Sequence, residues 1–200
     1  MKKLIAEKER IHNGMSYTEY VRKIRDLFNE GKVTGHDQKE SYLGFTRLNL
    51  QRMNRWEKQF QPSSEITELV KEISQPQVWL IITEGWCGDS AQSLPAIEKI
   101  AKLNSNITTR YFLRDDNDDL MQQFLEDGKR SIPQVAAIDS DSNVLWQWGS
   151  RPRGAVDILK QSAEEGNPPA TGKERMHLWY TKNAQQDLQQ ELAERIRSVQ

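Results

Sequence analysis

Hydrophobic residues recur at helical spacing through much of the first 60 positions. The pair Ser16-x-x-Glu19 is a capping box that predicts the start of a helix, and Gly31 predicts its end. The apolar stripe of this helix consists of Val21, Ile24, Leu27 and Phe28. A second helix is predicted over about 47–60. Its stripe consists of Leu50, Met53, Trp56 and Phe60. Residues 1–62 are therefore expected to form a helical N-terminal extension.

After Pro62 the pattern alternates between short apolar runs and amphipathic stretches. The runs, which predict strands, are at 78–82, 107–113, 134–139 and 144–149. The last two are separated by a short polar turn, which is typical of a hairpin. The predicted helices lie between Ser63 and Pro76, between Cys87 and Leu103, within 115–128, and over about 154–165. This order predicts an α/β domain over 63–165, with a mixed central β-sheet flanked by helices.

The remaining residues, 166–200, are expected to form a linker and a C-terminal helix. The segment GNPPATG, at 166–172, is rich in turn-forming residues and is interpreted as the linker. The terminal helix is predicted from an amphipathic stripe. That stripe consists of Leu188, Leu192, Ile196 and Val199.

Charge is distributed unevenly along the 200 residues. Residues 1–60 carry 13 Lys/Arg and 8 Asp/Glu, whereas residues 61–170 carry 10 and 17. A basic N-terminal part and an acidic middle can attract each other within one molecule, and such docking explains the imbalance as well as an external polyanion would. The segment RLNLQRMNRWEKQF could also indicate a basic–aromatic nucleic-acid patch. Its aromatic residues fall at helical spacing, however, so a core-facing helix with a solvated basic face is favoured, and no nucleic-acid partner is predicted.

A single cysteine, Cys87, lies where a predicted buried strand meets a predicted helix. Unpaired N–H groups at a helix N-terminus favour a thiolate, which is the nucleophilic form of cysteine. Gly88 leaves space for a partner backbone, whereas the carboxylate of Asp89 opposes ionisation of the thiol. We therefore expect the pKa of the Cys87 thiol to be lowered, but by a smaller amount than in a site without Asp89. The alternative, which a lone cysteine always allows, is a small inert core residue.

The segment WCGDS resembles the WCGPC active site of the thioredoxin superfamily. Pro95 lies where thioredoxins carry the proline that kinks their active-site helix, and Gly149 lies where they end the last strand. Ser131-Ile132-Pro133-Gln134 resembles the family's cis-proline loop, 46 positions after Cys87. The resemblance implies a thioredoxin-like fold over 63–165. It also implies a cis Ile132–Pro133 bond whose backbone faces an extended substrate.

Two features of the thioredoxin cycle are absent. The resolving cysteine is replaced by Ser90, and the buried acid six residues before the nucleophile is replaced by Ile81. Both belong to the second half of the dithiol cycle. The nearest upstream acid, Glu84, is expected to be a solvated loop residue. The retained residues therefore predict a site that attacks a disulfide but does not release itself.

These residues support a monothiol oxidoreductase hypothesis. Cys87 and Ser90 would be catalytic, Trp86, Gly88 and Asp89 would support them, and Ile132 with Pro133 would bind the substrate. The expected partner is a protein or a low-molecular-weight thiol or disulfide. The alternative is a redox-inactive thioredoxin-fold module that binds proteins.

No cofactor or metal site is predicted. Cys-Gly-x-Ser also occurs in glutaredoxins that share an iron–sulfur cluster, but Trp86 and the missing paired glycines after the cis-proline strand disfavour that class. One thiolate supplies a quarter of a four-cysteine cluster, and the three histidines have no zinc spacing. No apolar run reaches the roughly 18 residues of a membrane helix. The charged start and the single cysteine favour an unprocessed cytoplasmic protein.

Overall fold

The computed structural model describes residues 2–4 and 6–199. Helices and strands alternate through the middle of the chain. The helices are α1 (Lys8–His12), α2 (Tyr17–Asn29), α3 (Glu40–Gln59), α4 (Ser64–Lys71), α5 (Gly88–Ala101), α6 (Asp118–Met121), α7 (Arg153–Glu164), α8 (Pro169–Asn183) and α9 (Gln186–Arg197). The strands are β1 (Lys2–Lys3), β2 (Gln77–Thr83), β3 (Ile107–Leu113), β4 (Gln134–Ile138) and β5 (Asn143–Gly149).

The strands form one mixed sheet in the order β1-β5-β4-β2-β3. Strand β2 pairs parallel with β3 and antiparallel with β4, and β4 pairs antiparallel with β5. The predicted mixed sheet and the predicted β4–β5 hairpin are confirmed. Strand β1 pairs antiparallel with β5. It was not expected, because two residues are too few to show the alternation of apolar and polar side chains that predicts a strand.

Strand β2 is buried on both faces, as its continuous apolar run predicts. Trp79 and Ile81 pack into the larger hydrophobic core with helices α2, α3, α5 and α9. Leu80 and Ile82, which point to the opposite face, pack into a second core together with residues of α1 and α6. The central strand therefore holds its C-terminal end, from which the Cys87 loop departs, in a fixed position.

The capping box predicted at the start of α2 is confirmed. The Ser16 hydroxyl accepts a hydrogen bond from the Glu19 amide, and Glu19 accepts one from the Ser16 amide at 2.8 Å. Helix α3 is longer than predicted, since it begins at Glu40. The expected helix over 115–128 is largely wrong. It is reduced to α6 and a 3-10 turn over Gln122–Phe124, because Asp127 and Gly128 take positive φ in a tight turn.

The predicted linker over 166–172 is also wrong for most of its length. Helix α8 begins at Pro169. Proline is accepted at this position because the backbone N–H groups of the first helical turn make no hydrogen bond within the helix, so the missing N–H costs nothing. Gly172 allows this helix to approach α7, because a Cβ at that position would lie 3.3 Å from the Ser162 hydroxyl. The linker is thereby limited to 166–168, and α8 packs on α7. No helix within the described ranges is long and apolar enough to cross a bilayer.

Candidate active site around Cys87

Cys87 is the N-cap residue of α5, directly after the loop that leaves β2. Its side chain is 8% exposed, and Sγ donates to the carbonyl oxygen of Ile132 at 3.3 Å. The Ile132–Pro133 peptide bond is cis. Gly149, at the end of β5, packs against the same loop. A Cβ there would lie 2.4 Å from the Pro133 carbonyl oxygen.

Ser90 continues a chain of hydroxyl groups that ends at the Cys87 sulfur. Thr83 Oγ1 donates to Ser90 Oγ at 2.8 Å, and the Tyr20 hydroxyl lies 3.2 Å from Thr83 Oγ1. Because the Ser90 oxygen accepts from Thr83, its own proton is available to the Cys87 sulfur, and this interaction favours the thiolate. Ser90 therefore contacts the thiol on the side of α5, and Ile132 contacts it from the opposite loop.

The expectation of a lowered thiol pKa is wrong. Burial raises the pKa of the Cys87 thiol to about 11, and the nearby carboxylate of Asp89 adds to this rise. Hydrogen bonds from Ser90 and from the amides of Asp89 and Ser90 oppose the rise without overcoming it. The resting side chain is consequently a protonated thiol at neutral pH.

Asp89 is held by two groups from the C-terminal third of the chain. The Tyr180 hydroxyl donates to Oδ1 at 2.9 Å, and Arg151 Nη2 pairs with Oδ2 at 2.8 Å. Burial raises the pKa of this carboxyl, while Arg151 and Tyr180 favour its ionised form. Asp89 thus joins the active-site helix to α8 and to the loop before α7.

The expectation that Glu84 is a solvated loop residue is also wrong. Its side chain is completely buried, and Oε1 accepts a hydrogen bond from the Asp115 amide at 3.0 Å. Burial raises the pKa of the carboxyl above its ordinary value. Ile81, in contrast, lies in the apolar core of the sheet. The acid nearest to Cys87 along the preceding chain is therefore a buried one.

Trp86 precedes Cys87, and its indole ring contacts one aromatic and one cationic side chain. Its ring stacks on Tyr42 at a centroid separation of 4.8 Å, and the Arg114 guanidinium lies 4.9 Å from its centroid. Its Nε1 donates to the Thr34 carbonyl at 3.1 Å. The indole is thereby fixed against the N-terminal region.

Gly88 leaves room for the His177 ring, with Arg52 in ordinary contact beside it. A Cβ at this position would lie 2.8 Å from His177 Cε1 and 3.4 Å from Arg52 Nη1. Gln92 Nε2 lies 3.3 Å from His177 Nδ1, while Gln92 Oε1 accepts from the Trp56 indole at 2.7 Å. Because the Gln92 amide nitrogen must donate, His177 Nδ1 accepts, and Nε2 carries the proton. Burial, followed by the charges of Arg52 and other cations, lowers the pKa of His177 to about 4.

These groups surround a cavity of about 570 Å³ that reaches Cys87. Its walls come from α3, the Cys87 loop, the cis-proline loop, α7 and α8. Within the described part of the chain, no group of three or more His, Cys, Asp or Glu side chains could hold a metal ion. The cavity therefore presents one thiol, several cations and apolar walls to whatever enters it.

A family model described as thioredoxin matches residues 35–165 of this chain. The chain belongs to the thioredoxin superfamily. The resemblance stated from WCGDS and SIPQ is confirmed, as is the α/β thioredoxin-like fold.

Two solved structures share this fold with the thioredoxin-like chain. One is an HIV epitope-scaffold with a TM-score of 0.64 and 17% sequence identity. The match covers 98% of this chain and 100% of the scaffold chain. The other is a protein of unknown function from Pseudomonas aeruginosa, with a TM-score of 0.54 and 22% identity. Its match covers 93% of this chain and 99% of its own. No curated protein matches the chain. At these identities the structural matches establish the fold alone.

The fold brings most of the predicted site residues of this thioredoxin-like protein together. The Cys87 sulfur donates to the Ile132 carbonyl and lies beside Ser90. Sequence reasoning placed Arg52 on a solvated basic face, which is wrong because Arg52 is half-buried in the cavity wall, and it missed Arg151, His177 and Tyr180. They come from segments far from Cys87 in the chain, and no motif marks them.

Proposed function

We propose that this thioredoxin-like protein carries out thiol–disulfide exchange through Cys87 as a monothiol oxidoreductase. The main support is the placement of Cys87 Sγ at the start of α5, 3.3 Å from the Ile132 carbonyl and at the wall of a ligand-sized cavity. That carbonyl is a backbone group that an incoming disulfide segment could share. The lone cysteine has no intramolecular partner, so the product would be a mixed disulfide.

The proposed reaction transfers one disulfide linkage. The Cys87 thiolate attacks one sulfur of the substrate disulfide, a new bond forms to Cys87 Sγ, and the original S–S bond breaks. The departing thiolate takes the electron pair and then a proton from solvent. Cys87 is oxidised and half of the substrate is reduced. A second, external thiol then attacks the mixed disulfide and restores Cys87, which implies a reducing compartment such as the cytoplasm.

The raised thiol pKa sets the expected rate profile. Only the thiolate attacks, so the rate of adduct formation should rise about tenfold per pH unit from neutral pH towards about 11. Intact-mass measurement with an excess of a small disulfide, between about pH 7 and 10, tests this expectation. The Cys87→Ser variant is the control. A wild-type chain that forms no adduct over this range would overturn the proposal.

The second candidate is a thioredoxin-fold module that binds proteins. Burial of Cys87 and its raised pKa favour this candidate specifically, because both suppress nucleophilic reaction. Alkylation of Cys87 across the same pH range separates the two. A thiol that remains unmodified even at about pH 10, in the folded chain, would favour the module. We further propose 63–165 as the thioredoxin-like domain, with helical extensions on both sides.

A further inference from the structure

The cavity beside Cys87 carries an excess of positive charge. Five of its lining residues are cationic and one is acidic. The cations are Arg52, Arg114, Arg130, Arg151 and Lys173, and the acid is Asp89. Arg114 pairs with Asp115 at 2.8 Å, and Arg130 pairs with Asp118 at 3.1 Å and with Asp115 at 3.7 Å. Arg151 is neutralised by Asp89.

Arg52 and Lys173 have no ion-pair partner among residues 2–4 and 6–199. Arg52 Nη1 donates to the neutral Asn49 Oδ1 at 2.8 Å, and Asn49 in turn donates to the Gly85 carbonyl at 3.0 Å. Asn49 therefore fixes the guanidinium next to Gly88. Asp89 is near enough to act on Arg52 electrostatically but pairs with Arg151, so this half-buried guanidinium is suited to an external anion.

Two further polar groups on the wall lack partners. Ser162 is 2% exposed, and its hydroxyl has no hydrogen-bond partner in the described structure. The same holds for the buried Nε of Arg151. His177 adds a third donor, since its protonated Nε2 lies beside Gly88. Buried donors without acceptors are uncommon in proteins, and a ligand rich in oxygen acceptors would satisfy them.

We infer that this cavity selects small anionic disulfides. These are the oxidised forms of low-molecular-weight thiols that carry carboxylate groups. The inference rests on the proposed exchange at Cys87 and names the substrate class of that site. The carboxylate would be bound by Arg52 and Lys173, with the disulfide placed at Cys87 Sγ. The volume of about 570 Å³ lies within the range of roughly 300–1,000 Å³ typical of small-molecule sites.

Three disulfides of similar size test the selection by charge. 3,3′-Dithiodipropionate is a dianion, bis(2-hydroxyethyl) disulfide is neutral and cystamine is a dication. Rates of mixed-disulfide formation are measured by intact mass at one mildly alkaline pH and low salt. We expect the dianion to react about tenfold or more faster than the dication, with the difference shrinking at high salt. Equal rates, or a faster dication, would overturn the inference.

Variants show whether the named cations cause this preference. Arg52→Gln and Lys173→Gln should each reduce the dianion-to-dication ratio several-fold. Arg25→Gln, which removes an exposed cation outside the cavity, should leave the ratio unchanged. The ratio is the informative quantity, because a changed Cys87 pKa alters the rates with all three disulfides together. A ratio unaffected by both cavity variants would contradict the assignment.

A binding measurement separates this inference from the proposed function. The Cys87→Ser chain cannot exchange, so its titration with suberate, an all-carbon dicarboxylate of matching length, reports recognition alone. Suberate binding that weakens when Arg52→Gln is added supports the anion site even if the wild-type chain forms no adduct. Conversely, exchange with all three disulfides at equal rates, without suberate binding, supports the function and rejects the anion site.

Discussion

The Cys87 thiol and the Glu84 carboxyl lie three positions apart along the chain, and both are buried. Burial raises the pKa of each, since the charged form loses more hydration than the neutral form. Ser90 is buried as well and supplies a hydroxyl donor to the sulfur. Single substitutions at these positions therefore test the local chemistry directly.

We expect Glu84→Gln to stabilise the protein at neutral pH by about 1 kcal/mol. In the folded protein Glu84 has a pKa above its ordinary value of 4.5, so it keeps its proton to a higher pH than in the unfolded chain. Its contribution to the free energy of unfolding is therefore greatest below pH 4.5 and is lost as the pH rises through the folded-state pKa. Glutamine keeps the acceptor for the Asp115 amide without the charge. Urea unfolding at about pH 4 and 7 should show an advantage of the variant that appears only at the higher pH. The exposed Glu68→Gln is the control, and an equal gain there would refute the assignment.

Ser90→Cys should place a second thiol within disulfide reach of Cys87. The Ser90 side chain already contacts the sulfur, and residues three apart share a helical face. Mild oxidant should then remove both thiols without forming dimers. Ser93→Cys is the matched control, because six helical residues separate the two positions by roughly 9 Å. If the thiols of Ser90→Cys stay reduced, the assigned geometry of the Cys87 helix start is incorrect.

At the scale of elements, α8 is the helix that completes the cavity. It carries His177 over Gly88 and Tyr180 against Asp89. Its position depends on α7, where Gly154 lies under Trp179. A Cβ at Gly154 would lie 2.4 Å from Trp179 Cζ2 and 2.5 Å from Asp187 Oδ2.

Gly154→Ala should therefore lower the free energy of unfolding by about 1–3 kcal/mol, since a large ring must move. Gly44→Ala is the matched control. Gly44 is an exposed position of α3 with nothing within 4 Å of the added Cβ, so alanine there should stabilise by about 0.5–1 kcal/mol. Thermal and urea unfolding measure both changes. Equal effects of the two substitutions would show that α7 and α8 do not pack as described.

At the scale of the whole molecule, the N-terminal helices share the main core with the sheet. Tyr20 and Ile24 of α2 and Trp56 of α3 belong to the same buried cluster as Trp79 and Ile81 of β2. Ion pairs between the basic and acidic parts also exist, such as Arg10 with Asp119 at 2.5 Å. They are exposed and each contributes little, so apolar burial is the main force that attaches the extension.

Deleting residues 1–60 should therefore prevent cooperative folding, because the main core would lose the apolar side chains that α2 and α3 contribute. Circular dichroism and urea unfolding of the shortened chain, beside the full chain, measure this directly. A shortened chain that stays in solution and unfolds at the same urea concentration as the full chain would disprove it.

The sequence by itself determined the alternation of strands and helices, the hairpin, and the position of Cys87 between β2 and α5. Those features depend on side-chain periodicity and on nearby capping, proline and glycine residues, which act over a few positions. Tertiary structure alone decided that Glu84 is buried and that the Cys87 pKa is raised. It also placed His177 over Gly88, 89 positions away in the chain. The physical reason is that hydration loss and cavity shape arise from groups that meet only after folding, and no local pattern records which groups will meet.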